Sequence, residues 1–146
     1  MVYRLPLQEL LTNLLRVYTA EFEAELAEAG FPDLSLALGT NVLRFLGTDG
    51  MRLGTVAELA GVSKQAISQQ VSYLEAHGYL TVHADPSDRR AKVLRLTDRG
   101  LESQRVARAL FGAIEQRWRN RLGAGQMHQL RQSLEAAVTE FTAVRS

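Results

Sequence analysis

Apolar residues recur at steps of three and four near both ends of the chain, which is the period of an α-helix with one buried face. The first run begins after Pro6, a residue that is tolerated in the first turn of a helix. Gly123 and Gly125 separate the other two runs, so these are predicted to form a helical hairpin. In order, the three apolar runs are Leu7, Leu10, Leu11, Leu14, Tyr18, Phe22 and Leu26; Ala107, Leu110, Phe111, Ile114, Trp118 and Leu122; and Met127, Leu130, Leu134, Ala137, Phe141 and Val144.

These long helices have two interpretations. One is ordinary core packing within a single chain. The other, which the pattern modestly favours, is a dimerisation layer built from both chain ends around a compact middle. On the second interpretation, residues 1–34 are an N-terminal dimerisation helix, residues 35–100 a central domain, and residues 101–146 a C-terminal helical hairpin of the dimerisation layer.

The central domain begins with shorter helices. One is predicted from Ser35 to Leu46, because the turn-forming sequence Gly47-Thr48-Asp49-Gly50 follows it. The next is predicted over Thr55 to Ala60, because Thr55-Val56-Ala57-Glu58 has the spacing of a capping box.

Gly61 closes that short helix, and a second helix follows at once. Ser63 is a suitable N-cap for a helix running to His77, with Gly78 in the position where helices often end. Two helices joined by a short turn that contains glycine form the helix-turn-helix pattern. Many helical hairpins share this pattern, so the helix faces must be considered.

The second helix has a narrow apolar stripe of Ile67, Val71 and Leu74. At about 100° per residue, its opposite face carries neutral hydrogen-bonding side chains and no acid. That face comprises Gln65, Ser68, Gln69 and Ser72, and Lys64 flanks it at the helix start. A solvated helix face usually carries Glu and Lys, whereas Gln and Ser can hydrogen-bond to base edges beside phosphates. The alternative is a merely polar surface.

A β-ribbon is predicted after this helix. Tyr79-Leu80-Thr81-Val82-His83 is rich in β-branched and aromatic residues, residues 85–90 contain turn formers, and Lys92–Leu96 alternates charged and apolar residues as a return strand. Thr97 then caps the long helix that follows. The predicted fold is therefore a winged helix-turn-helix, mainly α with a small β-wing (α+β), between two sets of terminal helices.

The ribbon tip carries paired cations, Arg89 and Arg90. Paired charges on a turn are often simply solvated. Beside a recognition helix, however, they suit a probe of the minor groove or of phosphates. Asp88 is placed to hold the guanidinium of Arg90 in a fixed geometry.

Length, cysteine content and charge narrow the function classes. The chain has 146 residues, enough for a sizeable core, and no cysteine, which excludes disulfides, Cys-ligated zinc and thiol switches. Its net charge of +1 argues against a uniformly basic surface. The charge is unevenly distributed, however: −4 over residues 1–51, +2 over 52–100 and +3 over 101–146.

Membrane insertion and secretion are not expected. No segment has the roughly 18 consecutive apolar residues of a membrane span. The apolar run over residues 7–17 is interrupted by polar side chains and lacks a following cleavage site, unlike a signal peptide. A cytoplasmic protein is therefore expected.

The stretch from Thr55 to Gly100 resembles the MarR family of winged-helix transcription regulators. The terminal helices match that family in layout and composition only. The most specific matching parts are Leu74-Glu75-x-x-Gly78-Tyr79-Leu80, Asp85-Pro86-Ser87-Asp88-Arg89-Arg90 and Leu96-Thr97-x-x-Gly100.

This resemblance implies a homodimer, commonly a ligand-responsive repressor, that binds double-stranded DNA at a pseudo-palindromic operator. Its recognition helices would enter successive major grooves about 10 bp apart. It also implies that Arg90 enters the minor groove with Asp88 as its orienting partner. The implied DNA-binding residues are Ser63, Lys64, Gln65, Ser68, Gln69, Ser72, Asp88, Arg89, Arg90 and Lys92.

The chain departs from the family pattern at two positions. Gln69 and Val82 stand where the family often has arginine. Anchoring of the protein to the DNA backbone is therefore either weaker or relocated to Lys64, Arg52 or Arg95, and the sequence leaves these options open.

The resemblance also implies a cleft for a small aromatic or anionic effector. Candidate lining residues are Tyr18, Phe22, Phe31, Phe45, Phe111 and Trp118, although large aromatics at helical spacing usually belong to the core. No cofactor is expected. No metal site is expected either, because His77, His83 and His128 are scattered, unless dimer folding joins two of them with a carboxylate.

Catalysis finds no support in the sequence, since nucleophile motifs, phosphate-binding glycine loops and HExxH are absent. The main alternative to a DNA-binding regulator is a winged helix that serves only as a protein-interaction scaffold. A scaffold would need neither an acid-free recognition face nor an arginine pair on the wing.

Overall fold

The computed structural model describes residues 4–143, so Val144 of the last apolar run lies outside the described residues. The described chain falls into two compact units, one up to Leu110 and one from Phe111. The helices are α1 (Leu7–Glu28), α2 (Leu36–Asn41), α3 (Leu53–Ala60), α4 (Lys64–Ala76), α5 (Asp98–Leu122) and α6 (Ala124–Ala143). The strands are β1 (Met51–Arg52), β2 (Leu80–Asp85) and β3 (Asp88–Leu96).

The core of the first unit gathers apolar side chains from the end of α1, the helix-turn-helix and the base of the sheet. Its fully covered members include Leu26, Val42, Val56, Ile67, Leu74, Leu80 and Leu94. The first half of α1 contributes nothing to this core. Its exposed large apolar residues are Leu7, Leu10, Leu11, Leu14, Leu15 and Val17.

The helix predicted from Ser35 to Leu46 is broken in the structure. The Ser35 hydroxyl caps α2 by accepting a hydrogen bond from the Leu38 amide at 3.1 Å, but α2 ends at Asn41 and a short 3₁₀ turn covers Leu43–Phe45. Val42, at the break, and Leu43, which begins the 3₁₀ turn, are both buried.

The helix predicted over Thr55 to Ala60 begins earlier, at Leu53, so the capping-box interpretation was wrong. Arg52 occupies the N-cap position and its side chain makes no capping hydrogen bond. Leu53 is buried and directly follows strand β1, so the chain passes from strand to helix without the predicted cap. Gly61 closes α3 with a φ of 67°, as predicted.

Helix α4 confirms its predicted ends and faces. The Ser63 hydroxyl accepts a hydrogen bond from the Ala66 amide at 3.1 Å, and Gly78 follows the helix with a φ of 81°. Its buried residues are Ile67, Val71 and Leu74.

The sheet has three antiparallel strands in the order β1-β3-β2, and β1 was not predicted. β2 and β3 pair from Leu80↔Leu96 onwards, with an irregularity between Ala84 and Asp85. The turn predicted over residues 85–90 is shorter than expected, because β3 already begins at Asp88. The Asp85 carboxylate accepts hydrogen bonds from the Ser87 amide and hydroxyl at 2.8 and 2.7 Å, which tightens the reversal.

Helix α5 is capped as predicted. The Thr97 hydroxyl accepts a hydrogen bond from the Gly100 amide at 3.1 Å and donates one to the Gly78 carbonyl at 2.6 Å. This single side chain therefore joins the end of α4 to the start of α5.

The second unit contains residues 111–122 of α5 together with α6, which form a helical hairpin as the two glycines predict. Gly123, with a φ of 95°, separates α5 from α6, whereas Gly125 lies inside α6. Arg131 of α6 donates to the Glu115 carboxylate of α5 through Nε at 3.0 Å. Large apolar residues remain exposed along α6, notably Val138 at 60% and Phe141 at 73%.

Candidate nucleic-acid interface

The exposed face of α4 carries the side chains predicted to contact bases. Gln65, Ser68, Gln69 and Ser72 are all exposed, as are Ser63 and Lys64 at the helix start. The acid of this helix, Glu75, is turned to the sheet, where its carboxylate accepts a hydrogen bond from the Val82 amide at 3.2 Å. The outward face of α4 is therefore neutral and rich in hydrogen-bonding groups.

The predicted wing cations lie on strand β3 rather than on the turn itself. Arg89, Arg90 and Lys92 are exposed. The Asp88 carboxylate accepts a hydrogen bond from the backbone amide of Arg90 at 3.0 Å. In this structure Asp88 therefore orders the backbone of Arg90. A contact between Asp88 and the Arg90 guanidinium remains a prediction.

A cleft of about 440 Å³ separates the wing from helices α3 and α4. It brings together five of the predicted DNA-binding residues: Lys64, Ser68, Asp88, Arg90 and Lys92. Arg52 and Glu58 also line it, which gives four cations against two acids. The remaining predicted residues, Ser63, Gln65, Gln69, Ser72 and Arg89, lie outside the cleft.

An ion pair that the sequence did not predict fixes the wing. Arg52 donates to Oδ2 of Asp85 through Nε at 2.8 Å and approaches the same oxygen through Nη2 at 2.7 Å. Hydrogen bonds from the Ser87 amide and hydroxyl, together with those from Arg52, lower the pKa of Asp85 to about 2. The sequence suggests Arg52 only as one of three alternative anchors for the DNA backbone, and its partner in the ion pair lies 33 residues away.

The two positions that depart from the family pattern differ in exposure. Gln69 is exposed on α4, whereas Val82 is half-buried in β2. Of the proposed replacement anchors, Lys64 lines the cleft, Arg95 is exposed on β3, and Arg52 lines the cleft while paired with Asp85.

The aromatic candidates for an effector cleft have varied surroundings. In the first unit, Phe22 and Phe31 are buried, while Tyr18 and Phe45 are half-buried. The Arg44 guanidinium lies 4.5 Å from the ring centre of Phe45. In the second unit, Phe111 is exposed and Trp118 half-buried. Their role in binding an effector remains a prediction.

Two kinds of feature are absent from residues 4–143. No three His, Asp or Glu side chains in that range are grouped so as to hold a metal ion. None of its helices is long and apolar enough to cross a membrane.

Known proteins resemble this chain in sequence over its middle part and in fold over nearly its whole length. Residues 38–91 match the MarR family. The structure is similar to a crystal structure of MarR, with a TM-score of 0.79, 23% identity, and coverage of 99% of this chain and 97% of that chain. No curated protein sequence matches the chain.

Two further similar structures carry bound molecules. FabT of Streptococcus pneumoniae, solved in complex with DNA, has a TM-score of 0.77 and 18% identity, covering 94% of this chain and 96% of that chain. PcaV of Streptomyces coelicolor, solved with its natural ligand, has a TM-score of 0.71 and 23% identity, covering 94% and 97%. The match to the MarR family thus covers the helix-turn-helix and most of the wing, and the fold shared with the MarR structure extends over nearly the whole chain.

Proposed function

We propose that the protein is a DNA-binding transcription regulator that binds a pseudo-palindromic operator as a homodimer. Helix α4 would enter the major groove and the wing the minor groove. The observation that carries this proposal is the exposed, acid-free face of α4 beside a cleft that contains four cations. Such a regulator would act in the cytoplasm, together with the DNA.

The chemistry of the two surfaces suits different parts of a duplex. Gln65 and Gln69 can each form paired hydrogen bonds with adenine in the major groove. Lys64, Arg90 and Lys92 can neutralise phosphates on either side of that groove. FabT, which shares this fold, was solved in complex with DNA, and this supports DNA binding here.

The exposed apolar residues of the chain ends support the homodimer. The N-terminal half of α1 exposes six large apolar side chains, and α6 exposes Leu134, Val138 and Phe141. Apolar residues that recur at helical spacing and remain exposed in one chain are typical of helices that pack against a partner. A second copy of the chain would cover them.

We further propose that operator binding represses transcription and that a small aromatic or anionic effector weakens it. PcaV, which shares this fold, was solved with its natural ligand, and this supports the existence of an effector here. The aromatic residues Tyr18, Phe22, Phe45, Phe111 and Trp118 are the candidates to contact it.

Selection of bound fragments from sheared genomic DNA tests the proposed function. The expected product is an inverted repeat with half-site centres about 10 bp apart. Affinity for the selected site should fall steeply as salt rises, because phosphate contacts release counterions. The variant Gln65→Glu/Gln69→Glu, which places acids on the recognition face, should select nothing.

Failure to enrich any fragment, or an affinity that does not depend on salt, would favour the protein-interaction scaffold instead. Circular dichroism of the Gln65→Glu/Gln69→Glu variant provides the control for folding.

A further inference from the structure

Asp33 lies in the loop between α1 and α2 and contacts three other elements. Its carboxylate accepts a hydrogen bond from the Tyr79 hydroxyl, at the start of the wing. The same carboxylate lies 3.4 Å from Nη2 of Arg99 on α5. Its backbone carbonyl accepts a hydrogen bond from the Tyr73 hydroxyl of α4 at 2.7 Å. One residue therefore ties the recognition helix, the wing and α5 to the loop that follows α1.

Burial of the Tyr79 side chain makes its hydrogen bond to Asp33 specific. Tyr79 is 0% exposed, so its hydroxyl has no access to bulk water. Arg99 donates to the same hydroxyl at 2.9 Å, and its guanidinium lies 4.6 Å from the Tyr79 ring centre and 5.4 Å from that of Phe31. If the Asp33 carboxylate were neutralised, the hydrogen bond from the buried Tyr79 hydroxyl would weaken and the Arg99 guanidinium would lose its ion-pair partner.

The ionisation states fit this arrangement. Burial raises the pKa of the Tyr79 hydroxyl, and its hydrogen bond to the negatively charged Asp33 raises it further. Burial also acts to raise the pKa of Asp33, but the hydrogen bond from Tyr79 and the charge of Arg99 outweigh it, so the pKa of Asp33 is lowered. A neutral phenol, a carboxylate and a guanidinium therefore coexist at neutral pH.

The loop itself is fixed to both neighbouring elements. The Phe31 amide donates to the Leu26 carbonyl at 3.0 Å, which holds the loop against the end of α1. The Ser35 hydroxyl caps α2 on the other side of Asp33. If the end of α1 moved, this short, hydrogen-bonded loop would therefore transmit the movement to Asp33.

A shallow cavity of about 490 Å³ lies beside this loop and reaches the recognition face. Asp33, Tyr73 and Gln69 all line it, so a residue of the loop and a predicted base contact share one surface. Nearby, the Asn41 amide donates to the Gln70 side-chain oxygen at 3.4 Å, a second link between α2 and α4.

We infer that Asp33 is a positioning residue that sets the orientation of α4 relative to α1. In a dimer built on α1, this orientation determines the distance between the two recognition helices. This inference rests on the proposed function, because the distance matters only if two copies bind two half-sites. Asp33 contacts no DNA in this scheme. Its carboxylate acts through Tyr79 and Arg99, and its backbone carbonyl acts through Tyr73.

Half-site spacing provides the test. Binding is measured to the selected operator and to derivatives with one base pair inserted or deleted between the half-sites. The parent protein should discriminate strongly against both derivatives. In Asp33→Asn and in Tyr79→Phe, discrimination should fall about 5-fold, the scale expected when contacting residues are uncoupled. The double variant should lose less than the sum of the two single variants, since Asp33→Asn weakens the hydrogen bond that Tyr79→Phe removes. Asp49→Asn, which alters an exposed loop acid, is the control.

Two results would overturn the inference. One is a loss of affinity in Asp33→Asn that is equal for all three spacings, which would indicate a role in stability alone. The other is additivity of the two substitutions. Thermal unfolding of each variant shows how much of any change comes from stability.

Hydrogen exchange of the DNA-free dimer separates this inference from the proposed function. If the parent binds no DNA, the proposed function fails. Hydrogen exchange then still tests whether Asp33 positions α4, because it is measured without DNA. Asp33→Asn should then speed amide exchange at the C-terminal end of α4 and in the first residues of β2, whereas Asp49→Asn should not. Unchanged exchange at both places would contradict the positioning role.

Discussion

Arg52 contacts a single carboxylate oxygen of Asp85 through two of its nitrogens, at 2.8 and 2.7 Å. Arg52 ends strand β1 and precedes α3, while Asp85 ends strand β2 at the tip of the wing. The pair therefore ties the tip of the wing to the start of the helix-turn-helix. Because Arg52 is about half exposed, we expect this contact to order the wing more than it stabilises the whole protein.

The first prediction concerns pH. The pKa of Asp85 is lowered from 3.8 to about 2 in the folded protein, so its contribution to stability is fully present above pH 3.8 and is lost as the pH falls towards 2. Titration of the Asp85 carboxyl by NMR should show this low value. Arg52→Gln should shift the midpoint upwards but leave it below 3.8, because the Ser87 hydrogen bonds remain. An unchanged midpoint would contradict the contribution of Arg52.

The second prediction concerns the wing arginine. Arg90→Ala should weaken operator binding without unfolding the protein, since Arg90 is exposed on β3 and lines the basic cleft. If the guanidinium neutralises a phosphate, the slope of log affinity against log salt should also fall by about 1. Fluorescence anisotropy with labelled operator measures both quantities. Arg105→Ala, which removes an exposed arginine paired with Glu102 on α5, is the matched control. Equal binding by Arg90→Ala and the parent would refute the assignment.

The third prediction concerns base reading. Gln65→Ala and Gln69→Ala should each relax the base preference at one position of every half-site, by about 1–3 kcal/mol if the amide forms a paired contact with adenine. A selection from a randomised operator shows which position has lost its preference. Gln116→Ala, an exposed glutamine of α5, should leave the profile unchanged. If the profiles of the α4 variants match that of the parent, these glutamines do not read bases.

The fourth prediction concerns assembly. Leu10→Asp/Leu14→Asp places two charges on the exposed apolar face of α1 and should convert the dimer to monomers in sedimentation velocity experiments. Leu59→Asp alters an exposed leucine on α3 and should leave the dimer intact. A stable dimer in the α1 variant would exclude that face from the interface.

The fifth prediction concerns close packing at the start of α5. A Cβ atom added to Gly100 would overlap the Tyr79 carbonyl oxygen and lie 2.9 Å from Cδ2 of Leu96. Gly100→Ala should therefore lower the free energy of unfolding by about 1–3 kcal/mol, as overpacking usually does. Gly112→Ala lies on the same helix with nothing within 4 Å of the new Cβ. That variant should be stabilised by up to about 1 kcal/mol, because alanine favours helix. Chemical denaturation of both variants provides the comparison.

The features that the sequence predicted correctly are mostly local. The ends of α4 follow from Ser63 and Gly78, and its two faces follow from helical spacing alone. The cap of α5 by Thr97 is equally local. These signals work because the residues that determine them lie within one or two turns of one another.

The features that were missed depend on distant residues. Strand β1 has two residues and pairs with Val93 and Leu94, so no local pattern marks it. Because β1 leads straight into α3, the capping-box spacing at Thr55 was misleading. The contacts of Asp33 with Tyr73, Tyr79 and Arg99 span 40 to 66 residues, and only the folded chain brings them together.

The exposed ion pair between Arg52 and Asp85 also affects how binding data should be interpreted. Salt screens exposed charges, so rising ionic strength loosens this contact in the free protein before any DNA is present. Part of a measured salt slope would then report the wing becoming less ordered rather than counterions leaving the duplex. A count of phosphate contacts taken from that slope would exceed the number of cations that touch the DNA. Repeating the salt series with a variant whose wing is held by an uncharged cross-link would separate the two contributions.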